Sequence, residues 1–175
     1  METKIIRALA FIARCSAAAT AAYELASLLG LKESVWAAMS AVIVSQERLD
    51  ETCSSLMGRI LGTLLGIVVT IMVSEAASRA AASVALQMAI SVAICALIAR
   101  EFPKLRVAMW TCPIILLAAQ PSVPIVVVAM HRGSEVILGA LVGWVFHWMP
   151  ETLVDAVSGG EPGHRRFYRW LKRRV

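Results

Sequence analysis

The stretch Ala80–Ala99 constrains this chain most, because its 20 residues include no charged side chain and only two serines and one glutamine that are strongly polar. A helix of about 20 apolar residues matches the hydrocarbon core of a bilayer. A surface helix of a soluble protein would instead carry charged side chains along its outer face. Since 59% of the whole chain is hydrophobic and only 17% is charged, the sequence predicts an integral membrane protein.

Six apolar runs predict an all-α fold with six transmembrane helices in a domain over residues 1–150, followed by a basic cytoplasmic tail, residues 151–175. Two of the runs, the second and the fifth, are shorter than the roughly 20 residues that cross a bilayer. A topology with four spanning helices and two interfacial or re-entrant helices therefore stays open. The runs lie at about residues 7–29, 34–48, 57–74, 80–99, 105–120 and 124–149.

A short phrase occurs twice in the chain, as Ile60–Gly66 and Ile137–Gly143, with identical residues at five of the seven positions. An apolar run precedes each copy, from Trp36 to Gln46 and from Trp110 to Gln120, with the same spacing. The pattern indicates an internal duplication of a membrane unit.

Each repeat, at about residues 5–75 and 80–149, would contain three helices. Because three is odd, the second repeat would enter the membrane in the opposite orientation, which predicts inverted repeats. In transporters of that architecture, short or Pro-interrupted segments at matching positions mark the substrate site. The matched residues Trp36, Gln46, Trp110 and Gln120 are therefore candidate substrate-binding residues, and the alternative for the tryptophans is an interfacial aromatic belt.

Glycine pairs one helical turn apart predict close helix packing. Gly62 and Gly66 share one face of the third helix, and Gly139 and Gly143 share one face of the sixth. The missing side chains allow another backbone to approach.

Arginines within the apolar runs predict a route for an anion, because an arginine at a helix centre costs about 2.5–3.5 kcal/mol unless partners or water compensate it. Arg132, Arg59 and Arg14 are the candidates. Arg132 has an alternative as a local pair with Glu135, which shares its face at i+3. Arg59 has an alternative as an anchor on the positive-inside side of the membrane.

Glu24, Glu135 and His131 are candidate proton-coupling residues, and His147 is a further titratable group in an apolar run. Histidine titrates near neutral pH, and desolvation raises the pKa of a carboxyl group toward that range. Each of these residues also has a structural role as its alternative.

The distribution of basic residues predicts that both termini are cytoplasmic. With the N-terminus inside, the outer segments contain only Lys32 and Arg79, as the positive-inside rule requires. The inner segments contain six basic residues in the tail and also Lys4, Arg7, Arg48, Arg59, Arg100, Lys104 and Arg106.

Catalytic, metal and cofactor sites are not expected. The four cysteines, Cys15, Cys53, Cys95 and Cys112, form no C-x-x-C pair, and three of them lie inside apolar runs. No P-loop, H-E-x-x-H or G-x-S-x-G pattern occurs. Membrane topology also explains the net charge of +5 better than nucleic-acid binding does.

The segment Arg59–Gly66 reads Arg-Ile-Leu-Gly-Thr-Leu-Leu-Gly and follows Trp36 and the run Ala41–Gln46. Together with the second repeat and its Arg132, this pattern resembles the fusaric acid resistance and aromatic acid exporter family over about Ile5–Pro150. The resemblance implies a six-helix unit that exports aromatic carboxylates or other amphipathic anions using the proton gradient. Plant aluminium-activated malate transporters, which are dimeric anion channels, are distantly similar.

The sequence and the resemblance together predict a homodimeric exporter of small organic anions, surrounded by lipid in the bacterial inner membrane. Two alternatives stay open. One is a passive anion channel, and the other is a non-transporting membrane scaffold whose basic tail recruits a partner.

Overall fold

A computed structural model describes residues 2–46, 49–120 and 122–158, and all the regular structure in these residues is helical. The prediction of an all-α fold is confirmed. Arg48 and most of the predicted tail, residues 159–175, lie outside the described residues. The helices are α1 (Glu2–Leu28), α2 (Val35–Val44), α3 (Leu49–Arg79), α4 (Val84–Glu101), a short 3₁₀ turn (Pro103–Arg106), α5 (Val107–Ala118) and α6 (Ile125–Ser158).

Three of the described helices are long and apolar enough to cross a membrane, over Glu51–Arg79, Val84–Glu101 and Ile125–Trp148. α1 is long enough, but Arg14, Glu24 and a high alanine content make it less apolar. With 10 and 12 residues, α2 and α5 are only about 15 and 18 Å long. Six spans and inverted repeats therefore stay predictions.

Local sequence signals explain several helix ends. Gly30 follows α1 with a positive φ of 70°, and the Leu31 N–H donates to the carbonyl oxygen of Ala26, which satisfies an end of the helix. Ser83 caps α4 by accepting a hydrogen bond from the Leu86 N–H at 3.3 Å. The backbone at Ser45 turns to an extended conformation and ends α2 after Val44. The last helix differs from expectation, because α6 continues past Pro150 to Ser158.

The two short helices pack across the halves of the chain. α2 lies mainly against α1 and α6, whereas α5 lies mainly against α3 and α4. On α1, small residues at four-residue spacing, Ala18, Ala22 and Ala26, are fully buried against Ala37 and Ala41 of α2. Each short helix therefore contacts the glycine-bearing helix of the other half of the chain.

The glycine pairs lie at these contacts. A Cβ atom on Gly139 would overlap the Ala37 backbone carbonyl, and one on Gly143 would lie 2.5 Å from the Ala41 carbonyl oxygen. Residue numbers rise together along the two helices, so α2 and α6 run in the same direction. On α3, a Cβ atom on Gly66 would lie 2.6 Å from Cβ of Thr111.

We expect Gly139→Ala to destabilise the protein by about 3 kcal/mol, the upper end of the usual cost of overpacking, because the atom in the way is backbone. Thermal unfolding in detergent measures the effect. Gly133→Ala on the same helix is the matched control, since its Cβ would meet only the flexible end of the Ile67 side chain. Alanine is also the better helix former, so the control should be neutral or stabilising. Equal stability of the two variants would contradict the close approach of α2 to α6.

Candidate functional site

A small cavity lies where α2, α3, α5 and α6 meet. The volume open to the centres of water molecules is about 30 Å³, which is enough for about two waters. Both matched segments, Trp36–Gln46 and Trp110–Gln120, contribute to its walls. The lining residues are Trp36, Met39, Ile43, Arg59, Trp110, Thr111, Ile114, Arg132 and Val136.

Four of the seven predicted substrate-binding residues line this one cavity: Arg59, Arg132, Trp36 and Trp110. The repeat aligns Trp36 with Trp110, so the fold places the two matched aromatic side chains around a common space. Apart from the two arginines and a threonine, the walls are apolar side chains. A mostly apolar site with a few polar groups is typical of small-molecule binding.

Arg59 is buried, with 6% of its surface exposed, and its charge has no carboxylate partner among the described residues. Its Nε and Nη2 atoms donate to Oγ of Ser40 at 3.3 and 3.1 Å, respectively. A neutral hydroxyl satisfies two N–H groups but does not neutralise the guanidinium. A buried charge of this kind attracts an anion.

Arg132, in contrast, is held by two carboxylates. Its Nη1 donates to Oε2 of Glu135 and its Nη2 contacts Oε2 of Glu33, both at 3.1 Å. Its guanidinium also lies over the Trp36 ring, 4.7 Å from the centroid. Arg132 thus forms the ion pair with Glu135 that the sequence offered as an alternative, and it forms a second ion pair with Glu33.

Glu33 ties the turn before α2 to α6. Its backbone N–H donates to Oε1 of Glu135, and its own Oε2 accepts from the Trp36 indole N–H, both at 2.9 Å. The Trp36 hydrogen bond lowers the pKa of Glu33 most; burial opposes this, and Arg132 lowers the pKa further. The carboxyl group is therefore ionised at neutral pH, and the ion pair is lost as the pH falls through that lowered pKa.

The remaining predicted residues do not line the cavity. Arg14 donates from Nη2 to the Gln46 carbonyl oxygen at 2.6 Å, at the opposite end of α2 from Arg132. Gln120 is exposed after α5. Of the three proton-coupling candidates, Glu24 is exposed and His131 is half-buried, whereas Glu135 is buried in the ion pair with Arg132.

Sequence reasoning missed Ser40 and Glu33. Ser40 is the one polar residue in Val35–Val44, and a single hydroxyl in an otherwise apolar helix was a usable signal. Glu33 had no such signal, because its partners Arg132 and Glu135 are about 100 residues away in sequence.

A family model for fusaric acid resistance protein-like sequences matches residues 19–146, which is more than half of the chain. The chain belongs to this family. The match includes all the residues that line the cavity. No curated protein and no solved structure matches the chain. The similarity to malate transporters stays a prediction.

Membership in this family indicates a multi-pass membrane protein with a role in transport or efflux. The family consists of transporters, which is consistent with the non-enzymatic role expected from the sequence.

Proposed function

We propose that this member of the fusaric acid resistance protein-like family exports small organic anions, with aromatic carboxylates as the substrate class. The carboxylate binds Arg59, and the ring binds between Trp36 and Trp110. The observation that carries the proposal is the buried guanidinium of Arg59, which lacks a carboxylate partner among the described residues and lines a cavity with both tryptophans.

The charges favour Arg59 over Arg132 as the main anion ligand. Arg132 already has two carboxylates at 3.1 Å, so an incoming anion would have to displace one of them. Among the described residues, the Arg59 guanidinium bonds only to the Ser40 hydroxyl, and this bond orients the guanidinium without neutralising it. An anion at Arg59 therefore gains a charge-assisted hydrogen bond at no cost in broken ion pairs.

Proton coupling is assigned in this proposal to Glu135. Its carboxylate is buried, with 1% of the residue exposed, and it holds Arg132 beside the cavity. Protonation of Glu135 would weaken its hold on Arg132 and make the cavity more positive by one charge. A change in charge at one group changes the affinity of the cavity for an anion, and this reciprocal linkage is the basis of ion-coupled transport.

Transport also requires the cavity to open, because space for about two waters does not hold an aromatic acid. We place the functional unit as a homodimer in a bacterial inner membrane, with both termini in the cytoplasm. The support for the dimer is that the described helices of one copy leave little room for an anion route, and the support for the orientation is the distribution of basic residues.

Currents on a solid-supported membrane test the function. Proteoliposomes receive benzoate-like acids, malate or chloride in turn, with and without an imposed proton gradient. A proton-driven exporter gives currents with aromatic acids that depend on the gradient. Currents without proton coupling would indicate a passive channel, and the absence of any current would indicate a scaffold.

A further inference from the structure

The hydrogen bonds of the Arg59 guanidinium determine which of its N–H groups a ligand can use. Oγ of Ser40 accepts from Nε at 3.3 Å and from Nη2 at 3.1 Å, so it occupies one edge of the planar group. A guanidinium has five N–H groups, and these two bonds leave one on Nη2 and both on Nη1. Nη1 makes no hydrogen bond within the described residues. The edge formed by Nη1 and Nη2, here called the open edge, is therefore available to a ligand in the cavity that Arg59 lines.

Close backbone packing fixes the position of Ser40, which is fully buried. Three residues before it, the Ala37 carbonyl occupies the space of a Cβ atom on Gly139. Immediately after it, the Ala41 carbonyl oxygen lies 2.5 Å from where a Cβ atom on Gly143 would be. These contacts hold α2 against α6 on both sides of the serine. A group on a rigidly packed helix is positioned more precisely than a group on a loop.

We propose that Ser40 is a positioning residue that makes the cavity select carboxylates over monatomic anions. By binding Nε and Nη2, it fixes the open edge of Arg59, whose two parallel N–H groups match the two oxygens of a carboxylate. Chloride has a single centre, so it gains from the charge of the guanidinium more than from the direction of its N–H groups. The inference rests on the proposed function, in which Arg59 is the anion ligand.

A purely structural role for Ser40 would be to satisfy two buried N–H groups of Arg59. In that role, loss of the hydroxyl would weaken the binding of every anion alike, since it would only disturb the fold around the charge. In the positioning role, only an anion with two oxygens depends on the hydroxyl. The ratio of the affinities for a carboxylate and for chloride therefore separates the two roles.

Isothermal titration of the purified protein in detergent gives the dissociation constant of benzoate, and displacement of benzoate by chloride gives that of chloride. Ser40→Ala should weaken benzoate binding by about tenfold, the effect of one lost hydrogen bond to a charged group. Chloride binding should change little. Ser45→Ala is the matched control, because Ser45 is also buried, but its hydroxyl donates to the Ala41 carbonyl oxygen at 2.8 Å. It should leave both affinities unchanged.

A second variant removes the open edge without any change at Ser40. Arg59→Lys keeps the positive charge but has no two-pronged group to orient, so it should by itself lower the preference for benzoate over chloride. Adding Ser40→Ala to Arg59→Lys should weaken benzoate binding no further, because the serine acts through the guanidinium. The four proteins form a double-mutant cycle that is read with benzoate alone.

Equal weakening of benzoate and chloride in Ser40→Ala would overturn the proposal, and so would additive losses in the double variant. An unchanged preference in Arg59→Lys, or an effect of Ser45→Ala equal to that of Ser40→Ala, would overturn it as well. The proposed function survives these results as long as Arg59→Lys weakens benzoate binding. Unchanged benzoate binding in Arg59→Lys would instead remove Arg59 as the anion ligand, and both proposals would fail.

Discussion

Arg59→Gln should weaken binding of an aromatic carboxylate by about 10- to 100-fold, because a hydrogen bond to a charged group contributes about 1.5–3 kcal/mol. The substitution removes the one described guanidinium in the cavity that has no carboxylate partner. Isothermal titration in detergent with a benzoate-like acid measures the affinity. Arg59→Lys should give an intermediate affinity, since lysine keeps the charge but loses the two-pronged geometry that contacts Ser40.

Stability separates this role of Arg59 from that of a membrane anchor. Arg59→Gln removes a buried charge that no described carboxylate compensates, so the melting temperature should stay the same or rise. Arg100→Gln is the matched control, because Arg100 is an exposed arginine at the end of α4, and it should leave the affinity unchanged. Unchanged binding in Arg59→Gln would refute the assignment and support the positive-inside anchor.

Arg132→Gln should destabilise the protein by about 3–5 kcal/mol, because it leaves the buried Glu135 carboxylate without its cation. Glu135→Gln should cost less, about 1–3 kcal/mol, since Arg132 keeps Glu33 and the new amide oxygen still accepts the Glu33 N–H. The double variant should recover much of the loss, because no uncompensated buried charge remains. Unfolding in detergent, analysed as a double-mutant cycle, gives the coupling energy.

Glu33→Gln is the control for that cycle. The Glu33 side chain is 52% exposed, so losing its charge should cost less than about 1 kcal/mol. Strictly additive losses in the double variant would show that Arg132 and Glu135 do not stabilise each other. Anion binding measured on the same proteins shows whether Arg132 has a second role beside the ion pair.

The helix positions followed from the sequence, because apolar side chains must avoid water and their runs mark the segments that can do so. All six expected runs correspond to helices. The runs underestimated the lengths of some helices. α3 begins at Leu49 and ends at Arg79, beyond the apolar run of residues 57–74, since a helix continues through polar residues once its apolar part is buried.

Four residues of the candidate site could be named from the sequence, but their positions relative to one another could not. Charges in apolar runs and the matched tryptophans pointed to Arg59, Arg132, Trp36 and Trp110, because such residues are costly or conspicuous in a membrane segment. The partners of the two arginines were only partly predictable, since the lone hydroxyl of Ser40 in α2 was a signal and Glu33 had none. Glu33 reaches Arg132 and Glu135 because the start of α2 packs against α6, and Ser40 reaches Arg59 because α2 also packs against α3. Hydrophobic periodicity carries no information about which helices pack together.

The sequence alone therefore determined that the protein lies in a lipid bilayer, that it is all-α, and which buried charged residues need a partner. These properties depend on the side chains along a single segment. Tertiary structure alone decided that Arg132 is neutralised by Glu33 and Glu135, whereas the Arg59 guanidinium has only the Ser40 hydroxyl as a hydrogen-bond partner among the described residues. It also decided that His147 bonds to Thr52, 95 positions away. The physical reason is that electrostatic and hydrogen-bond partners are selected by distances of about 3 Å, and those distances exist only after the helices have packed.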